Sequence, residues 1–201
     1  MSRLSLNKST LNREVGQLVV YQRVVPALDM KRKQLMAARS KARNALVTVA
    51  QEQSVLEASV IKNFPALDQS TLALGEVVQI TELVYGEDNI VGLVLPRLDK
   101  VVIEHVDMCR PATPIWSDLL IEVLEQSCRL WLDYQVLRER LQRLDAAVLK
   151  ATQRLNLFEK VLIPRAQKNI RRIRIALADN ERAAVVRAKI AKQKRRQFVS
   201  L

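Results

Sequence analysis

From Leu137 onward, apolar residues fall at Leu137, Leu141, Leu144, Val148, Ala151, Leu155, Phe158 and Leu162, in alternating steps of four and three. That is a heptad seam, the pattern of a helix that buries one narrow stripe against a partner helix. No glycine occurs between Leu93 and Leu201, and no proline between Ile115 and Ile163, so the stretch carries no obvious stop signal. A helix from about Ser117 to Arg196 would be roughly 120 Å long at 1.5 Å per residue. A compact domain of this size is only roughly 40 Å across. The spacing therefore predicts an elongated helical element and not a globule.

A second seam precedes it. Leu11, Leu18 and Val25 recur by sevens, and beyond Pro26 the stripe continues through Leu28, Leu35, Ala42, Val49 and Leu56. Ser9 or Thr10 is the expected cap of this first helix. Pro26 removes a backbone donor, so a kink is expected there and not an end. Arg32 and Arg39 fall on seam positions, where their long stems would snorkel. The helix is expected to stop near Asn63 or by Gly75.

Between the helices the texture changes. Val77, Val78, Ile80, Leu83, Val84 and Tyr85 are strand formers, as are Ile90, Val91, Leu93, Val94 and Leu95. Gly86-Glu87-Asp88-Asn89 reads as the turn of a hairpin, with Pro96 ending the second strand and Val101–Ile103 adding a further short one. Cys109 to Pro114 reads as a loop. In the second helix the seam passes Leu162 and shifts to Ala166, Ile170, Ile173 and Leu177. The extra residue coincides with Pro164, where a kink or local unwinding is expected. The expected fold is thus mainly α: a long antiparallel two-helix coiled coil with a small β-hairpin inserted between the helices. Its segments are 1–75 (first helix), 76–113 (hairpin and loop) and 114–201 (second helix).

Charge follows the same plan. The net charge is +12, yet residues 1–43 carry +8 and residues 165–196 carry +10, leaving about −6 for the rest. An antiparallel pairing would bring the two basic segments to one end, with Lys8, Arg13, Lys189, Lys192 and Arg195 as the residues that would meet an acidic partner.

The search for chemistry finds none. His105 is the sole histidine, Cys109 and Cys128 have no metal spacing, and the four glycines form no phosphate loop. Core or partner packing explains Trp116 and Trp131 better than a cofactor does. No catalytic residue, metal or cofactor is expected. No uncharged run is long enough to span a bilayer and no signal-peptide core is apparent, so a cytoplasmic protein is expected.

Three segments carry a resemblance. Gln153-Arg154-Leu155-Asn156-Leu157-Phe158-Glu159-Lys160-Val161-Leu162-Ile163-Pro164-Arg165 resembles the signature of the D subunits of V-type and A-type ATPases, in which an Arg-Val-Asn-Ala-Leu-Glu-like stretch leads into Ile-Pro-Arg. Asn89-Ile90-Val91-Gly92-Leu93-Val94-Leu95-Pro96 is similar to that family's Asn-Val-Ala-Gly-Val-x-Leu-Pro hairpin strand. Asn7-Lys8 with Leu11, then Leu28 and Lys31-Arg32-Lys33-Gln34-Leu35, is similar to its opening helix. Pro26, and an acidic stretch reduced to Asp179 and Glu181, depart from the pattern. The resemblance implies a central rotor stalk that carries torque and performs no catalysis. Its termini would enter a hexameric head of A and B subunits. Its other end would couple, with the F subunit, to the ring-capping subunit of the membrane rotor, making it peripheral to a membrane. The seam read from the spacing is Leu28, Leu35, Val49, Leu56, Leu141, Leu144, Val148, Leu155, Phe158 and Leu162, and the hairpin residues expected to face a partner are Ile90, Gly92, Leu95 and Pro96. The residues alone also admit a basic helical hairpin that binds nucleic acid, or the stalk of an export-apparatus ATPase. The hairpin with Gly92 and Pro96 favours the rotary reading, with no nucleic acid expected.

Overall fold

A computed structural model describes residues 5–65, 78–105 and 117–199. Helix α1 spans Lys8–Asn63, strand β1 Val78–Ile90, strand β2 Leu93–His105, helix α2 Ser117–Leu157, a π-helical turn Phe158–Leu162, and helix α3 Ile163–Val199. The chain is mainly helical, as the two seams predict. Gly75, the Cys109–Pro114 loop and Trp116 lie outside the described residues, as do the side chains of His105, Ser117, Arg196 and Phe198.

The start of α1 differs from expectation. Asn7, not Ser9 or Thr10, is the cap: its Oδ1 accepts a hydrogen bond from the Thr10 N–H at 2.7 Å. Asn is among the best caps because its short side chain reaches the third helical amide. The cap moves the helix start to Lys8 and leaves Thr10 buried. From there α1 runs to Asn63 without a break, with Pro26 inside it.

By contact, the chain groups into two compact units, Met1–Met30 with Ala151–Leu201, and Lys31–Lys150. In the first, Tyr21 packs edge-to-face on Phe158 with ring centroids 5.5 Å apart, and the Asn169 amide donates to Glu14 Oε2 at 3.2 Å. Moving forward along α1 thus moves backward along its partner, so the pair is antiparallel. Ala151, Leu155, Ala166, Ile170 and Ile173 are buried here, while Leu28, Phe158 and Leu162 are half-buried. In the second unit Arg39 Nε meets Asp145 Oδ1 at 2.5 Å, so this seam arginine pairs with a carboxylate instead of only snorkelling. Leu35, Ala42, Leu120, Leu132 and Leu144 are buried, with Val49, Leu56, Leu141 and Val148 half-buried.

The seam's extra residue has a structural answer. The Ile163 N–H donates to Phe158 O, five residues back, so the turn before Pro164 is π-helical. A π turn absorbs one inserted residue and returns the stripe to the same face. Leu162 therefore hands over to Ala166, Ile170 and Ile173, all three of which are buried.

The hairpin corrects the expected turn. β1 and β2 are each 13 residues long and pair from Ile90↔Leu93 back to Val78↔His105. The turn is Val91-Gly92, with φ of 56° and 79°, and Gly86–Asn89 are strand. Two positive φ values in a two-residue loop make a primed turn whose twist matches the strands. The Asn89 side chain closes it, Oδ1 accepting from the Gly92 N–H at 2.9 Å. Pro96 does not end β2 but pairs with Glu87. It sits at an odd step from the closing pair, where backbone N–H groups point away from the partner strand, so no ladder bond is lost. Val101–Ile103 belong to the same strand.

Candidate partner surfaces

Within the second unit the hairpin tip is clasped to the helices. Leu95 is fully buried and Ile90 half-buried. Asp88 accepts from Arg140 Nη2 at 2.8 Å and from Arg97 Nη1 at 3.1 Å, and Arg97 Nε holds Asp99 at 2.6 Å. Arg143 Nη1 reaches Val94 O at 3.4 Å. Asp99 has no partner residue across the ladder, which shifts register between Val84 and Tyr85. This bulge brings its carboxylate over Gly86, where a Cβ would lie 2.1 Å from Asp99 Oδ2. Gly86 is thus a close-approach glycine and not a turn glycine. Away from the tip, Ile80, Leu83, Val84 and Tyr85 are exposed, an apolar strand surface. Of the four residues expected to face a partner, Leu95 faces inward and anchors the tip. Ile90 and Pro96 are half-buried and Gly92 is exposed.

A second surface lies between the end of α1 and the start of α2. Leu56, Val60, Ile61, Leu120, Val123, Leu124 and Trp131 line a groove of about 510 Å³. Ile61 is 76% exposed and Trp131 55%, and Val55 and Leu119 nearby are exposed too. Glu57 lines the groove, Glu122 and Glu125 are on the adjoining turns of α2, and Arg129 is paired with Glu125. Asp133, with Glu52 nearby, sits above the ordinary aspartate pKa, because burial and then the Glu52 charge disfavour its ionised form.

The third surface belongs to α3. Ala176, Leu177 and Ala178 are half-buried, and every residue from Asp179 to Arg195 is exposed. Those 17 residues extend about 26 Å at the helical rise. They present Val185, Val186 and Ile190 beside Arg182, Arg187, Lys189, Lys192, Lys194 and Arg195. Lys8 and Arg13 on α1 are likewise exposed. Such an apolar stripe among solvated cations is an unsatisfied helix face.

Among the described residues no group of His, Cys, Asp and Glu is placed to hold a metal ion. Cys128 is a free, half-buried thiol. Among the same residues no helix is long and apolar enough to cross a membrane.

The family model for the D subunit of ATP synthase matches residues 10–193. The chain belongs to the ATP synthase D-subunit family. The V-type ATP synthase D subunit of Borreliella burgdorferi is 33% identical over 192 residues, 96% of this chain and 95% of that one. The D subunit of Chlamydia muridarum is 29% identical over 198 residues, 98% of each chain. That of Chlamydia felis is 27% identical over 200 residues, 98% of this chain and 95% of its own. Membership makes this D-family chain a stalk subunit of a rotary ATPase, and neither the nucleic-acid reading nor the export-stalk reading finds support.

Sequence reasoning had no signal for the clasp, because Asp88, Arg140 and Arg143 are ordinary charges until the hairpin is folded back on α2. It singled out Trp131, but not the groove, which exists only once α1 and α2 are paired.

Proposed function

We propose that the chain is the central rotor shaft of a V-type ATP synthase, a non-catalytic subunit that passes torque between a catalytic head of A and B subunits and a membrane ring. The observation that carries this reading is the family match over residues 10–193, with named D-subunit relatives aligned over nearly their whole length. The exposed, cationic, apolar-striped end of α3 supports it. A helix end exposed from Asp179 to Arg195 fits insertion into a sleeve formed by other chains, and its cations, with Lys8 and Arg13, would steer it toward acidic walls. An asymmetric two-helix shaft presents a different side to each of several equivalent catalytic interfaces, so rotating it changes which interface is strained. Nucleotide chemistry then belongs to the head, and the shaft needs no acid, base, metal or cofactor of its own.

The Trp131 groove is our choice of docking place for the F subunit. An apolar trough with an acidic margin takes an amphipathic helix carrying lysines or arginines at its edges. The ring-capping subunit would then engage the same end of the chain, and membrane attachment would be indirect, placing the chain at the membrane periphery on the cytoplasmic side.

Co-expression with the A and B subunits of the same genome, followed by native mass measurement, tests the reading. One copy of this chain with three A and three B, gaining the F subunit when that is supplied, is the expected result. A chain that stays free, or leaves the column with nucleic acid that high salt removes, would overturn it. Trp131→Ala should lower F uptake at least tenfold without changing assembly with A and B; unchanged F uptake would move the F site elsewhere.

A further inference from the structure

Helix α1 and its partner are both weakened over the same short stretch of the first unit. In α1, Pro26 has no N–H, so the Gln22 carbonyl loses its ladder partner. Gly16, ten residues earlier, is not a close-approach glycine: a Cβ there would meet nothing within 4 Å. It therefore lowers helix stability with no packing reason. On the other helix the Phe158–Leu162 turn is π-helical, and after one intervening residue stands Pro164, a second residue without a donor. Gly16 and Pro26 flank Tyr21, and Phe158 opens the π turn, so the Tyr21–Phe158 aromatic contact fixes the two stretches opposite each other.

Packing does not compensate there. No residue of α1 from Leu11 to Met30 is buried, and none of the partner from Asn156 to Arg165 is buried. Val19, Val20, Leu157 and Val161 are exposed. Cores resume at Leu155 on one side and Ala166 on the other. Missing ladder bonds and few buried contacts are the physical content of a segment that opens locally at low cost. A bundle that only needed its stripe realigned would do so with the π turn alone. Gly16 and Pro26 on the opposite helix add softness that realignment does not require.

We infer that this level is a built-in compliant joint, at which bending and twisting of the helix pair concentrate, with the Tyr21–Phe158 contact as its pivot. Its mechanical role rests on the shaft reading: a shaft soft at one level takes up twist there and releases it later. The joint itself does not rest on that reading.

Two measurements test it. In the full-length chain, amide hydrogen exchange at residues 18–25 and 160–166 should be about tenfold faster than in the helical turns on either side. Gly16→Ala combined with Pro26→Ala and deletion of Pro164 should erase that difference. The deletion restores alternating steps of three and four from Phe158 through Ile173, so no π turn is needed. Gly16→Ala with Pro26→Ala alone keeps the test readable if the deletion variant does not fold. Exchange that is uniform along both helices, or unchanged in both variants, overturns the joint. In the assembled complex, the angular spread of a probe attached to the chain under load should narrow by about a third or more in the variant. An unchanged spread beside a closed exchange gap overturns the mechanical role and leaves the joint. A chain that never assembles with A and B overturns the shaft reading, while exchange still decides the joint.

Discussion

Val91 is a β-branched residue held at φ 56°, a conformation in which its side chain crowds its own backbone. The neighbouring Gly92 and the Asn89 side chain satisfy the turn, so the cost falls on Val91 alone. Val91→Asn removes most of it, since Asn tolerates this region, and should stabilise the hairpin by about 1 kcal/mol. The readout is hydrogen exchange of the ladder amides of β1 and β2, which should slow about fivefold; faster exchange would show that the Val91 side chain contributes packing that outweighs its strain. Asp133 carries a cost of another kind. Its pKa in the fold is raised, so the folded chain binds that proton more tightly than the unfolded one. Its ionised form therefore works against folding at neutral pH. The cost is relieved as pH falls through the raised value and is gone below the ordinary aspartate pKa. Asp133→Asn should raise the thermal midpoint at pH 7, and the gain should shrink to nothing on acidification to about pH 3. A gain that grows toward acid would contradict the assigned cause.

At the scale of elements, helices and hairpin depend on different things. Leu144 is fully buried in the α1–α2 seam, and Leu95 is fully buried where the hairpin tip meets the helices. Truncating either to Ala leaves a cavity, with a cost of about 2–5 kcal/mol if the site cannot collapse. The consequences should differ. Leu144→Ala should lower the global midpoint, because the seam is what pairs α1 with α2. Leu95→Ala should release the tip, speeding exchange throughout β1 and β2 while the helical circular dichroism melt changes by less than half as much. Equal melts would mean that hairpin and helices unfold as one unit. The same division explains what could be read in advance. Leu137, Leu144 and Leu155 announce a helix because steps of three and four have only one periodic meaning. The shift from Leu162 to Ala166 announced a local unwinding, found as the π turn. The hairpin turn was misplaced because Gly86, Asp88 and Asn89 have turn chemistry, whereas Val91 looks like strand. In the fold Gly86 makes room for the Asp99 carboxylate and Asp88 holds Arg140, and both demands come from residues distant in sequence.

For the whole molecule, charge and burial along the chain carry the functional argument, and they can be separated. The sequence alone shows +10 over residues 165–196, but only burial shows that the first half of that segment is packed and that the second half is exposed among the described residues. Ala166, Ile170 and Ile173 are buried, while nothing from Asp179 to Arg195 is. Truncation after Ala178 removes side chains that contribute no described packing, so the remaining chain should keep its thermal midpoint within a degree or two. If the exposed cationic helix is what enters the head, the same truncation should weaken assembly with the A and B subunits at least tenfold. Replacing Arg187, Lys189, Lys192 and Arg195 by Gln, with the apolar stripe kept, isolates the electrostatic part. That variant should associate more slowly at low salt and should match the unaltered chain as ionic strength rises toward 1 M, where such attractions are screened beyond about 3 Å. Assembly that is indifferent both to truncation and to charge removal would mean that the head is held by the paired part of the chain. The long exposed end of α3 would then need another partner.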